Sequence, residues 1–207
     1  MDAALYLSLV GFVVAMSVTP GPNNLMLMSS SALFGVRRTV PHYLGVQAGF
    51  NLLLVAAVFG LGELVGRYPV TLDAVKIGGS LWLAWMALAF FRAGLAKPAD
   101  PDAPRTEKRR SRPFRSWEAA LFQWINPKAL LMTISAAGAY IALADTAGER
   151  AAIFVGTFIL FGAPCGLLWM LAGGVIHRFL TDRRHARLLN FAIGGLLLAT
   201  IAIIATS

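Results

Sequence analysis

Between Asp2 and Arg37 the chain carries no charged side chain. A helix needs only about 20 mainly apolar residues to cross roughly 30 Å of hydrocarbon, so this stretch already exceeds one perpendicular span. Comparable stretches recur, and the apolar segments run over 4–34, 40–62, 70–91, 117–144, 151–176 and 186–206. Of the 207 residues, 57% are hydrophobic and only 14% charged, against about a quarter charged in soluble domains. The mean hydropathy is +0.68. Helices of a soluble protein keep one polar face, which these segments lack. The expected fold is an all-α membrane protein with six transmembrane helices.

Basic charge fixes an expected orientation. The formal net charge is +8, but Lys and Arg cluster in short connections, as topology-setting charge beside anionic lipid does. That placement argues against a nucleic-acid partner. Arg37 and Arg38 follow the first segment, a run from Arg92 to Arg115 follows the third, and Arg178, Arg183, Arg184 and Arg187 follow the fifth. Opposite connections hold only Arg67, Lys76 and Arg150. Basic connections stay cytoplasmic, so both termini are expected on the periplasmic side, which requires an even number of spans. The N-terminus, Met1-Asp2-Ala3-Ala4, has no basic region of the secretory type, so the first segment reads as a retained span. Cys165 is the single cysteine and reads as a small core residue.

Segments one and four are too long for one helix, and each contains a proline break, Pro20-Gly21-Pro22 and Asn126-Pro127-Lys128. Proline inside a helix removes a donor and clashes with the preceding turn. Helices one and four are therefore expected to be discontinuous. The stretch 93–116, with Pro98, Pro101, Pro104 and Pro113 among charged residues, reads as a polar cytoplasmic linker. It divides the chain into a first three-helix repeat, 1–92, and a second, 117–207, which together form one membrane domain. Residues 19–31 lie over 123–135, placing Pro22 over Asn126, and Ile77-Gly78-Gly79 lies over Ile193-Gly194-Gly195. Three spans per half is an odd number, so the repeat is inverted, as in many secondary transporters.

A break near the bilayer middle persists where it is buried in protein or lines a cavity. Gly21 can cap a new half-helix beginning at Pro22, and Asn126 one beginning at Pro127. Each half-helix then presents free N–H groups and a positive dipole end. With Asn23, Asn24 and Lys128 alongside, the pair of breaks suits a carboxylate-bearing substrate. Lys128 could equally snorkel or cap structure. Gln47 and Asn51, with Ser29, Ser30, Ser31, Thr133 and Ser135, could contact substrate or hold helices together. The candidate binding set is thus Pro20, Gly21, Pro22, Asn23, Asn24, Gln47, Asn51, Asn126, Pro127 and Lys128. No cluster of His, Cys or carboxylates suits a metal, and no phosphate-binding loop is present, so neither a cofactor nor an enzyme is expected.

Thr-Pro-Gly-Pro at 19–22, the glycines at 35, 45 and 49, and Asn126-Pro127-Lys128-Ala129 resemble the LysE/RhtB family of amino-acid exporters over essentially the whole chain. The resemblance implies a bacterial inner-membrane permease exporting amino acids or related metabolites, in exchange for protons. Some related proteins export cadmium, against which the missing thiol and carboxylate clusters argue here. A basic amino acid is disfavoured, since no deep carboxylate would pair a cationic side chain. The expected partners are a small-molecule substrate and membrane lipid, with a homodimer as one candidate assembly. The competing reading is a non-transporting membrane scaffold or partner subunit, in which the breaks merely bend helices.

Overall fold

The computed structural model describes residues 2–61, 67–95, 112–179 and 183–205, and all regular structure among them is helical. Residues 96–111, the bulk of the expected linker, lie outside the described residues. Helix α1 spans Ala3–Val18 and is capped by Asp2, whose carboxylate accepts from the N–H groups of Ala4 and Leu5. It stops where Thr19 turns extended, because Pro20 cannot supply the next donor. Helix α2, Pro22–Phe34, begins with proline in the first position and leaves at an angle of 48°. Gly35, at φ 82°, turns the chain directly into α3, Val36–Ala56. Only glycine adopts that region without strain.

Helix α3 leads into a π-helical turn at Ala57–Leu61 that is kinked at Gly60, whose φ is 135°. Helix α4 covers Pro69–Leu95. The short α5, Ser116–Phe122, passes into a tight turn over Gln123–Ile125, and α6, Pro127–Ala139, starts afresh beyond the Asn126 cap. Helices α7, Ala147–Thr157, and α8, Ala163–Phe179, are joined through a second π-helical turn at Phe158–Gly162. Helix α9 is Arg183–Ala205.

Among the described residues, two helices are long and apolar enough to cross a membrane, Val36–Gly60 and Ala147–Val175, and the bent pair α1–α2 makes a third span if counted as one. In α4 and α9 the qualifying apolar parts are shorter, Leu83–Arg92 and Asn190–Ala202. Both breaks expected from sequence are present, and α2 and α6 have the same length of 13 residues. Their starts pair Pro22 with Pro127 and Gly21 with Asn126, so the register between the halves shifts by one residue from the sequence alignment. The shift arises because each break restarts its helix at a proline, whose fixed φ and missing donor suit the first helical position.

Two apolar clusters hold the helices together. One joins Leu9 and Val13 of α1 with Phe50, Leu53 and Leu54 of α3, Leu130 and Ala136 of α6, and Phe154 of α7. The other joins Leu25 and Met28 of α2 with Leu83 and Ala87 of α4 and Ile193 and Leu197 of α9. Outside them, large apolar side chains such as Leu7, Leu52, Trp85 and Leu168 face outward, as lipid contact requires. Tails offer the same apolar surroundings as a partner helix, so association depends on close packing. Accordingly, α5 lies backbone-to-backbone on α3: a Cβ at Gly45 would overlap the Ser116 backbone, and one at Gly49 would lie 2.5 Å from the Ala120 Cα. Likewise α2 rests on α8, where a Cβ at Gly173 would overlap the Met28 backbone.

At the head of α5, Glu118 accepts from the Arg115 N–H and pairs through both oxygens with Arg112, each contact at 2.8 Å. The hydrogen bond to Glu118 raises the Arg112 guanidinium above its ordinary pKa. The pair pins the end of the linker to the helix, next to Phe114, whose ring lies 5.0 Å from that of the buried His42.

Candidate substrate site at two helix breaks

The two breaks face one another across a cavity of about 70 Å³. That is room for roughly five water-sized groups, the scale of a small amino acid. Gly21, Asn23 and Asn24 line it from the first break and Asn126 and Lys128 from the second. Gln47 reaches in from α3, while Leu27, Val46, Phe50, Met132 and Phe158 supply apolar wall. Gly162 and Gly166 complete the side toward α8. The phenyl rings of Phe50 and Phe158 pack 4.9 Å apart.

The exposed carbonyls that end α1 are satisfied one after another. The Asn24 amide donates to Ser17 O at 2.8 Å and Thr19 O at 2.9 Å. The Trp169 indole N–H donates to Val18 O at 3.2 Å. Lys128 Nζ donates to Thr19 O and Thr19 Oγ1, both at 2.9 Å, and to Pro20 O at 3.2 Å. Lys128 thus caps α1, an ammonium at a helix C-terminus, where the dipole favours cations. The same side chain still borders the cavity, so its charge is felt there. Gly21 makes this approach feasible, since a Cβ there would lie 2.6 Å from Lys128 Cδ.

The two half-helix N-termini differ. Asn126 caps α6 by accepting from the Lys128 N–H at 3.2 Å. Gly21 has no side chain to cap α2, and the first N–H groups of a helix have no intrahelical partners. The uncapped end, with Asn23 and Asn24, opens on the cavity. The Asn23 side chain is turned to Gln123: its amide donates to Gln123 Oε1 at 2.7 Å, and Gln123 Nε2 donates back to Asn23 Oδ1 at 3.1 Å. Gln123 is fully buried and also donates to Ala119 O at 2.8 Å.

The other candidates divide. Pro20, Pro22 and Pro127 shape the breaks without bordering the cavity. Asn51 does not border it either; its amide donates to Gln47 O at 2.8 Å, one turn back on its own helix. Ser29, Ser30 and Ser31 are buried along α2, and Thr133 donates to Leu130 O within α6. Gln123, Thr19 and Trp169 were absent from the sequence-derived set. Gln123 had a visible signal, being a polar side chain in an apolar segment one turn before a break. Among the described residues, no group of His, Cys, Asp or Glu could hold a metal ion.

A family profile for the LysE type translocator matches residues 14–206. The chain is 29% identical over 201 residues to the cysteine/O-acetylserine efflux protein of Klebsiella pneumoniae, covering 95% of both chains. It is 28% identical to the protein of that name from Salmonella paratyphi A and 24% identical to that from Escherichia coli O1:K1, covering 90% of both chains in each case. No solved structure matches. A profile spanning nearly the whole sequence, over a helical chain broken at both proline motifs, places this protein in the LysE type translocator family.

Proposed function

We propose that this translocator exports small zwitterionic amino acids or closely related metabolites from the bacterial cytoplasm. The observation that carries the reading is the uncapped N-terminus of α2 opening on a cavity of amino-acid size. Its N–H groups and dipole suit a carboxylate, and the Lys128 charge reinforces them. Gln47, whose amide makes no hydrogen bond to the described residues, contacts the remaining polar group. The wall of Leu27, Val46, Phe50 and Met132 takes a short apolar or sulfur-bearing side chain. Among the described residues no Asp or Glu borders the cavity, which disfavours a cationic side chain. The named activity of the relatives, efflux of cysteine and O-acetylserine, agrees with this chemistry.

The architecture that goes with it is six spans in two inverted halves, 1–92 and 117–207, joined by the basic linker 93–116. Both termini are periplasmic, and the protein lies in the inner membrane. Alternating access moves the halves about the paired breaks, driven by a proton gradient.

Proteoliposomes preloaded with a panel of amino acids provide the test, run with and without a proton gradient. The expected result is selective release of cysteine-sized neutral amino acids, accelerated by the gradient and reduced at least tenfold in Gln47→Leu. Equal release of all substrates from loaded and empty-membrane controls would sink the proposal.

A further inference from the structure

The Lys128 ammonium sits where three oxygens converge: Thr19 O, Thr19 Oγ1 and Pro20 O, at 2.9, 2.9 and 3.2 Å. Three acceptors match the three N–H bonds of a protonated amine, whereas a neutral amine has only two to give. The charge has no carboxylate opposite it, because the one ion pair among the described residues is Arg112–Glu118. It is held by neutral oxygens at the negative end of α1. Immediately beyond those oxygens the chain starts α2, with its uncapped positive end. The first break therefore sets a cation-favouring cluster beside an anion-favouring one, one peptide or two apart. An α-amino acid carries the complementary pair, an ammonium and a carboxylate on a single carbon.

We propose that Thr19 O, Thr19 Oγ1 and Pro20 O form an ammonium-binding site, filled here by the tethered ammonium of Lys128 and taken by the α-ammonium of the substrate when Lys128 leaves. The substrate half of this statement rests on the proposed export of zwitterions; the ammonium site itself does not. Lys128 acts as a placeholder. Two ammonium groups cannot share the same three oxygens, so the substrate ammonium takes the site only when Lys128 swings away. That movement links occupancy of the cavity to the contact that ties α6 to α1. Among the described residues that line the cavity no other side chain is titratable: the polar ones are Ser17, Asn23, Asn24, Gln47 and Asn126, and the rest are apolar or glycine.

The test is binding of a free ammonium to a protein that lacks the tethered one. Purified Lys128→Ala is melted in detergent with ethylammonium, with tetramethylammonium at equal ionic strength, and with sodium. Ethylammonium offers three N–H donors and tetramethylammonium none. At about ten times its dissociation constant, ethylammonium should raise the midpoint by roughly 3–5 °C relative to tetramethylammonium. The wild type should show no difference between the two, and adding Thr19→Val to the variant should shrink the response. Equal responses to the two organic cations, or an equal response in the wild type, overturns the assignment. A preference for sodium replaces it with a metal-ion site and also overturns it. If Lys128→Ala is not recovered folded, Lys128→Met keeps the aliphatic stem and is measured in the same way. Because melting involves no transport, a wild type that exports nothing would remove the proposed function while leaving this result standing.

Discussion

The reciprocal amide pair between Asn23 and Gln123 lends itself to a double-mutant cycle. It joins the first turn of α2 to the end of α5 by two hydrogen bonds, of 2.7 and 3.1 Å. A hydrogen bond contributes a net ~0.5–1.5 kcal/mol in proteins generally, and interhelical ones in membranes average about 0.6 kcal/mol. The coupling between the two side chains should therefore be about 1–2 kcal/mol. Gln123→Leu alone should cost more, roughly 2–3 kcal/mol, since it strands the half-buried Asn23 amide and removes the further bond to Ala119 O. Asn23→Leu alone leaves Gln123, fully buried, with one bond in place of three and should cost about the same. The double variant should lose less than the sum of the singles by the coupling energy. Reversible unfolding in mixed detergent micelles measures all four proteins. Additivity within about 0.5 kcal/mol would refute the reasoning, because it would mean that the two amides do not hold each other.

The cavity and the helix contacts give three further expectations. Gly166→Leu has no backbone in its way, the nearest neighbour of a Cβ there being the Tyr43 ring at 3.4 Å, but its side chain enters the cavity; it should fold like wild type and lose efflux, whereas Gly166→Ala should retain most of it. Gly49→Ala meets the Ala120 backbone at 2.5 Å, which cannot move aside as a side chain can, so folded protein should fall by about 1–3 kcal/mol in unfolding measurements. Asn126→Ala removes the α6 cap and should cost roughly 1 kcal/mol, with Asn126→Asp restoring most of it in the same assay.

What could be read from sequence was whatever local chemistry dictates. Proline admits few places in a helix, so Pro22 and Pro127 announce helix starts, and Asn126 announces a cap whether or not anything lies opposite. The residues joining the breaks were harder to see. Asn23 and Gln123 are a hundred positions apart, and nothing in either one's neighbourhood names the other. Lys128 was readable as a charge beside a break; that its three donors would be spent on Thr19 and Pro20 depended on how closely α6 approaches α1. Asn51 misleads for a related reason: its spacing from Gln47 suggests a shared polar face, yet its amide bends back to the Gln47 carbonyl instead of reaching the cavity. The π-helical turn at Phe158–Gly162 carries no compositional mark, since one extra residue in a turn leaves the apolar pattern almost unchanged. Family-level resemblance was legible because it rests on the same two proline motifs.

The glycine contacts divide the four half-helices by how freely they can shift. Helices α1 and α6 are interlocked with their neighbours through Leu9, Val13, Leu130 and Ala136, and sliding them would force bulky side chains over one another. Helix α5 meets Gly45 and Gly49 with bare backbone, and α2 meets Gly173 in the same way on one side only, its Leu25 and Met28 interlocking with α4 and α9. A surface without protruding side chains works as a rail, along which a helix moves lengthwise without changing a single rotamer. Shear of packed helices is an established way for domains to close around a ligand. In this molecule the bare track is the one α5 has on α3, while α2 is keyed to α4 and α9 by Leu25 and Met28 and tied to the end of α1 by the Asn24 amide, so the Asn23–Gln123 pair joins the helix with the smoothest bed to one that is anchored on several sides.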